Sequence, residues 1–187
     1  MEITLIRHGK PTSANNPVLS ASEYTQWIRH YNASNVSEKS RPKDKLRLNN
    51  SSFVISSNLT RAIHSAEIYT GEAPDKTFEL FREMEIPRYK LPFRLKAWTW
   101  VYLCRAFWML GLKGSFESYK EAKSRAEIGA DKLIELAQEK GSVVLFGHGY
   151  MNLHIKKALI KKGWKLNSKS NEFWGVTKLK RHSLKIQ

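Results

Sequence analysis

Short apolar runs alternate along the chain with longer segments of mixed polarity. Residues 2–7 are apolar and β-branched and end at Arg7-His8-Gly9, which predicts a buried strand. Residues 10–19 carry two prolines and two asparagines and read as a loop. Ser20-Ala21-Ser22-Glu23 has the spacing of a capping box and predicts a helix to about Tyr31. Residues 32–52 are polar and read as a surface loop. Phe53–Ser57 is a second short strand, and a helix follows from Asn58-Leu59-Thr60-Arg61-Ala62 to Gly71. A third strand is expected over 77–81 and a long helix over 115–140, starting at Ser115 and stopped by Gly141. Val143–Phe146 has the pattern of a parallel strand; it leads into Gly147-His148-Gly149 and a helix ending near Gly163. Residues 172–182 are expected to add a last, edge strand.

This alternation predicts an α/β fold, a three-layer sandwich whose mostly parallel central sheet is flanked by helices. The length of 187 residues fits a single domain over 1–187, with a small helical cap insert at about 88–113. A hydrophobic content of 41% is enough for a true core. The one cysteine, Cys104, excludes an internal disulfide, and the N-terminus lacks the basic and apolar regions of a secretory signal, so a cytoplasmic protein is expected. The balance of 32 Lys and Arg against 17 Asp and Glu, a net +15, predicts attraction to anions without choosing among phosphorylated substrates, anionic lipid and nucleic acid.

Three segments carry candidate chemistry: Arg7-His8-Gly9, Ser56-Ser57-Asn58-Leu59-Thr60-Arg61-Ala62 and Gly147-His148-Gly149. Each follows an expected strand, and the carboxyl ends of strands are where open α/β sheets bind ligands. If those strands are neighbours, two arginines and two histidines converge. Guanidinium forks match phosphate oxygens, and an unprotonated imidazole is a nucleophile able to form a covalent intermediate. Other phosphatase chemistries lack their residues. The three aspartates, Asp44, Asp75 and Asp131, are isolated, and the position six residues after Cys104 is Leu110 rather than an arginine. No P-loop or His-Glu-x-x-His motif occurs.

Taken together and in this order, the three segments resemble the signature of the histidine phosphatase superfamily, the phosphoglycerate-mutase-like fold, across nearly the whole chain. The resemblance implies phosphorylation of His8, a phosphate pocket lined by Arg7, His8, Arg61 and His148, and no metal or other cofactor. It implies a general acid within Leu80-Phe81-Arg82-Glu83-Met84-Glu85-Ile86-Pro87, with Glu83 as the first choice and Glu85 as the alternative. His8, Glu83 and His148 are thus the expected catalytic groups. Two departures are visible. Pro87-Arg88-Tyr89-Lys90 stands where many relatives have Gly and then Trp-Glu-Gly, and Lys10-Pro11-Thr12 stands where Glu-Thr is frequent. Lys10 is therefore an added candidate cation, and Thr12 and Asn15 are weaker candidates.

The insert is basic and aromatic: residues 88–113 hold six Lys and Arg and no acid. Its apolar stretch, Ala97–Leu110, contains Arg105 and is shorter than the roughly 20 apolar residues of a membrane span. It reads as a cap packed over the pocket or as an interfacial helix in peripheral contact with an anionic membrane, and both can hold at once. No recognised nucleic-acid motif is present, so a nucleic-acid partner is not expected. The expected activity is a metal-independent phosphomonoester hydrolase working through phosphohistidine on an unidentified phosphorylated substrate. A phosphoglycerate-mutase-like phosphotransferase and a non-catalytic phosphate- or membrane-binding module are the alternatives.

Overall fold

A computed structural model describes residues 1–42 and 51–181. The loop expected over 32–52 therefore falls partly outside the described residues, as does the end of the last expected strand.

The chain runs β1 (Glu2–Arg7), β2 (Val18–Leu19), α1 (Ala21–Ala33), β3 (Phe53–Ser57), α2 (Thr60–Thr70), β4 (Lys76–Phe78), β5 (Leu95–Lys96), α3 (Ala97–Met109), α4 (Tyr119–Lys140), β6 (Ser142–Gly147), α5 (Gly149–Lys161), β7 (Lys165–Ser168) and β8 (Val176–Lys180). Six strands form one sheet in the order β4-β3-β6-β1-β8-β7. The first four are parallel; β8 runs antiparallel to β1, and β7 antiparallel to β8.

The period-2 pattern of the central strands explains the layers. Ile3, Leu5, Ile55, Val143 and Leu145 face a core completed by α4 and α5, where Ala126, Leu133, Met151 and Ile155 are buried. Ile6, Val144 and Phe146 point to the other face and meet Ala66 and Tyr69 of α2. The observed fold is the expected α/β sandwich with a mostly parallel sheet.

A third cluster lies outside the sheet. Tyr24, Trp27, Ile28 and Tyr31 of α1 pack with Ala97, Trp100, Val101 and Cys104 of α3. Tyr24 stacks on Trp100 with ring centroids 5.4 Å apart, and Trp27 stacks on Tyr31 at 5.2 Å. The segment expected as a loop over 10–19 supplies β2, which pairs with β5 at the start of α3. The cap is thus assembled from two separated stretches, 18–33 and 95–109. No helix among the described residues is long and apolar enough to cross a membrane.

Three expected boundaries are corrected. The long helix starts at Tyr119, not Ser115, because Ser118 and Glu121 form the capping box. Residues 115–117 are engaged in tertiary bonds instead: the Ser115 carbonyl accepts from Arg88 and the Glu117 carbonyl from Trp108. The third strand ends at Phe78, and Glu79–Phe81 is a turn of 3₁₀ helix. The last strand begins at Val176 and is not at the edge, since β7 pairs along its outer side. Every residue of β7 is exposed, so no apolar alternation marks it in the sequence.

Candidate active site

The register of the parallel strands decides where the three motifs meet. Arg7 lies opposite Gly147, and Ser56 lies opposite Phe146, so β1, β6 and β3 end at one level. The residues that follow, His8, His148 and Ser57, crowd one edge of the sheet and are all buried.

His8 and His148 have ring centroids 5.1 Å apart. The hydrogen bonds of His8 settle its tautomer. Nδ1 lies 2.7 Å from the Gly9 carbonyl, which only accepts, so Nδ1 carries the proton. Nε2 accepts from Arg61 Nε–H at 3.3 Å, so it holds the lone pair. Burial, first, and then the Arg61 and Arg7 charges hold the His8 pKa well below its ordinary value. His148 is lowered by the same two effects, burial first and Arg61 next. Its Nε2 is 2.6 Å from Ser57 Oγ.

Arg61 is fully buried at the start of α2. Its Nη1 donates to the Tyr31 and Asn32 carbonyls at 3.2 Å, which ties the start of α2 to the end of α1. Desolvation lowers its pKa from the usual guanidinium value. Arg7 donates to the Asn171 carbonyl at 2.6 Å and lies 4.2 Å over the Phe173 ring. Three polar atoms around the imidazoles are buried with no hydrogen-bond partner: Arg7 Nε, Arg61 Nη2 and His148 Nδ1.

Two glycines permit this crowding. A Cβ on Gly9 would collide with Trp174 and Val36. A Cβ on Gly149 would press Arg7 Nε at 3.2 Å. Gly149 also opens α5, whose N-cap, His148, makes no side-chain cap bond. Glu83 takes that part: its carboxylate accepts from the Met151 amide at 2.9 Å, the Met84 amide at 3.0 Å and the Tyr150 amide at 3.3 Å.

A cavity of about 260 Å³ opens beside Arg7, Glu83 and Gly149 and is roofed by Trp98, Tyr102 and Arg105 of the cap. Among the described residues, Glu83 is the one acid lining it. Glu85 turns away, accepting from the Glu117 amide at 3.2 Å and pairing with Arg82. Arg7 and Glu83 thus line this cavity, while His8, Arg61 and His148 are buried beside Arg7 and do not line it themselves. Lys10 is exposed, and Asn15 accepts from Trp27 Nε1; neither they nor Thr12 line this cavity.

Sequence reasoning missed the 171–175 turn. Trp174 has a positive φ of 62°, and its amide donates to the Arg7 carbonyl. That turn brings Asn171 and Phe173 onto Arg7, with Phe173 5.7 Å from the His8 ring. An aromatic pair inside a stretch rich in Ser and Asn was the available signal. His154 is satisfied, by Tyr119 and the Tyr150 carbonyl, and Cys104 is buried in the cap. Trp100 and Trp108, which an interfacial helix would set at headgroup depth, are buried in the protein.

A family model for the histidine phosphatase superfamily, branch 1, matches residues 3–172. The chain belongs to this superfamily. Comparison with curated protein sequences gives no match. Among solved structures, the fold resembles an open-reading-frame product of Mycobacterium tuberculosis, with TM-score 0.56, 17% identity and coverage of 86% of this chain and 78% of that one. A mycobacterial glucosyl-3-phosphoglycerate phosphatase gives 0.53, 19%, 86% and 79% in the same order. A Thermus thermophilus phosphoglycerate mutase gives 0.54, 20%, 85% and 84%. Phosphatases and a mutase thus share this superfamily's fold.

Proposed function

We propose that the protein is a metal-independent phosphomonoester hydrolase with His8 as its nucleophile. The observation that carries this reading is the neutral His8 ring, proton on Nδ1 and lone pair on Nε2, set among three buried polar atoms without partners. Arg7, Arg61 and His148 would hold the phosphoryl oxygens, and the guanidinium charges supply what a divalent ion supplies elsewhere. Arg61 Nε gives up its bond to Nε2 as the phosphoryl group enters. The Nε2 lone pair attacks phosphorus, the ester P–O bond breaks, and Glu83 delivers a proton to the leaving oxygen. In the second step Glu83 takes a proton from water as that water attacks phosphohistidine. The P–N bond breaks, and Nε2 regains its lone pair.

Hydrolysis of an aryl phosphate in the presence of EDTA tests this. The wild type should turn over; His8→Ala should lose about 10³-fold or more, and Glu83→Gln about 10²- to 10⁴-fold. Glu85→Gln should stay close to wild type. Full activity in His8→Ala would overturn the nucleophile. Phosphate binding without turnover would leave a binding module.

A further inference from the structure

α3 buries a cation where an amphipathic helix would bury a hydrocarbon. Its inward positions are Ala97, Trp100, Val101, Cys104, Arg105 and Trp108. Arg105 is 6% exposed. Its Nη2 donates to the Met84 carbonyl at 3.3 Å, and its guanidinium lies 3.9 Å over the Tyr150 ring. Nη1 is buried without a partner, and Arg105 belongs to none of the ion pairs among the described residues.

A buried guanidinium without a counter-charge is unfavourable unless something supplies one. The place where that can happen is defined, because Arg105 lines the same 260 Å³ cavity as Arg7 and Glu83. Arg7 and Glu83 stand on its floor, the side on which the proposed nucleophile His8 is buried. Arg105 stands in its roof among Trp98, Tyr102 and Tyr150, none of which carries charge. A leaving group that departs past Glu83 must pass this wall. Its body would meet aromatic faces and its far end the Arg105 guanidinium, whose Nη1 has no partner.

We infer that Arg105 is a specificity determinant, which binds a second anionic group, a carboxylate or a phosphate, on the leaving-group end of the substrate. This rests on the reading of the pocket as a phosphomonoester site. The substrate class is then a phosphomonoester whose apolar or aromatic body carries a second oxyanion.

Binding of non-hydrolysable phosphonates by calorimetry tests this independently of turnover. The probes are benzylphosphonate, para-carboxybenzylphosphonate and para-xylylene bisphosphonate. The wild type should bind one of the doubly anionic probes about tenfold or more tightly than benzylphosphonate. The tighter of the two identifies carboxylate or phosphate as the second group. Arg105→Gln should bring that ratio to about one, and Arg105→Lys, which keeps charge without the fork, should restore part of it. A wild-type ratio near one, no binding of any probe, or a ratio retained in Arg105→Gln would each overturn the assignment. The wild-type ratio decides even where a variant folds poorly. Selective binding without hydrolysis of aryl phosphates would defeat the phosphatase reading and leave Arg105 standing. Hydrolysis without selectivity would do the reverse.

Discussion

His8 is kept neutral by three separate features: burial, the guanidiniums of Arg61 and Arg7, and Nε2's acceptance of a proton donor. His148 shares the first two. Both pKa values lie well below the ordinary 6.5, so under moderately acid conditions the unfolded chain binds protons the folded chain does not. These two groups therefore cost nothing above about pH 6.5, and stability falls as pH drops below it. The slope reaches at most about 2.7 kcal/mol per pH unit, twice the value for one proton. Imidazole NMR titration should show both rings still neutral at pH 6.5, and the melting temperature should fall towards pH 5. A step near 6.5 in either ring would contradict the burial argument. At this scale the residues of the proposed phosphate site were legible as a group because each sits in a tripeptide or heptapeptide directly after an apolar run. Arg105 was not, because a cation inside an aromatic helix gives no sign of which face it takes. Glu83 and Glu85 were not separable either. What separates them is the start of α5, whose amides take Glu83, while the Glu117 amide takes Glu85.

The capping boxes at Ser20/Glu23 and Ser118/Glu121 have the same form, yet only the first was placed correctly from sequence. Ser115 and Ser118 both precede the apolar periodicity, and the choice between them is made by tertiary bonds of residues 115–117 to the cap. Ser118→Ala should therefore cost about 1 kcal/mol and lower the melting temperature by about 2–4 °C, while Ser115→Ala should change it little. The reverse order of the two melting temperatures would restore the earlier start. The central strands were readable because burial on both faces makes them continuous apolar runs. β7 was not, since its fully exposed side chains make the sheet edge by backbone pairing alone. The cap was readable as an insert only in its second half, because β2 and α1 join it through aromatic stacking that sequence separation hides.

Over the whole molecule, a net charge of +15 opposes compaction, and the buried guanidiniums of Arg61 and Arg105 add to that burden. Any anion relieves surface repulsion by screening, whereas a phosphate pocket also gains from site binding, and the two effects separate by experiment. At a concentration about 100 times its dissociation constant, inorganic phosphate should stabilise the fold by about 2.7 kcal/mol. For a chain of this size that is a rise of about 5–10 °C in melting temperature. Chloride at equal ionic strength supplies only the screening part, so it should raise the melting temperature less. Phosphate also stabilises folded chains by exclusion from their surface, so the contribution of the pocket is the part of the difference that a pocket variant loses. Arg7 is only half-buried, so Arg7→Gln should fold, and it should lose much of that difference while keeping the response to chloride. Equal effects of the two salts on the wild type would mean that phosphate acts on the surface alone. The convergence of Arg7, Arg61 and His148 would then be a structural arrangement without affinity for the group it resembles a site for.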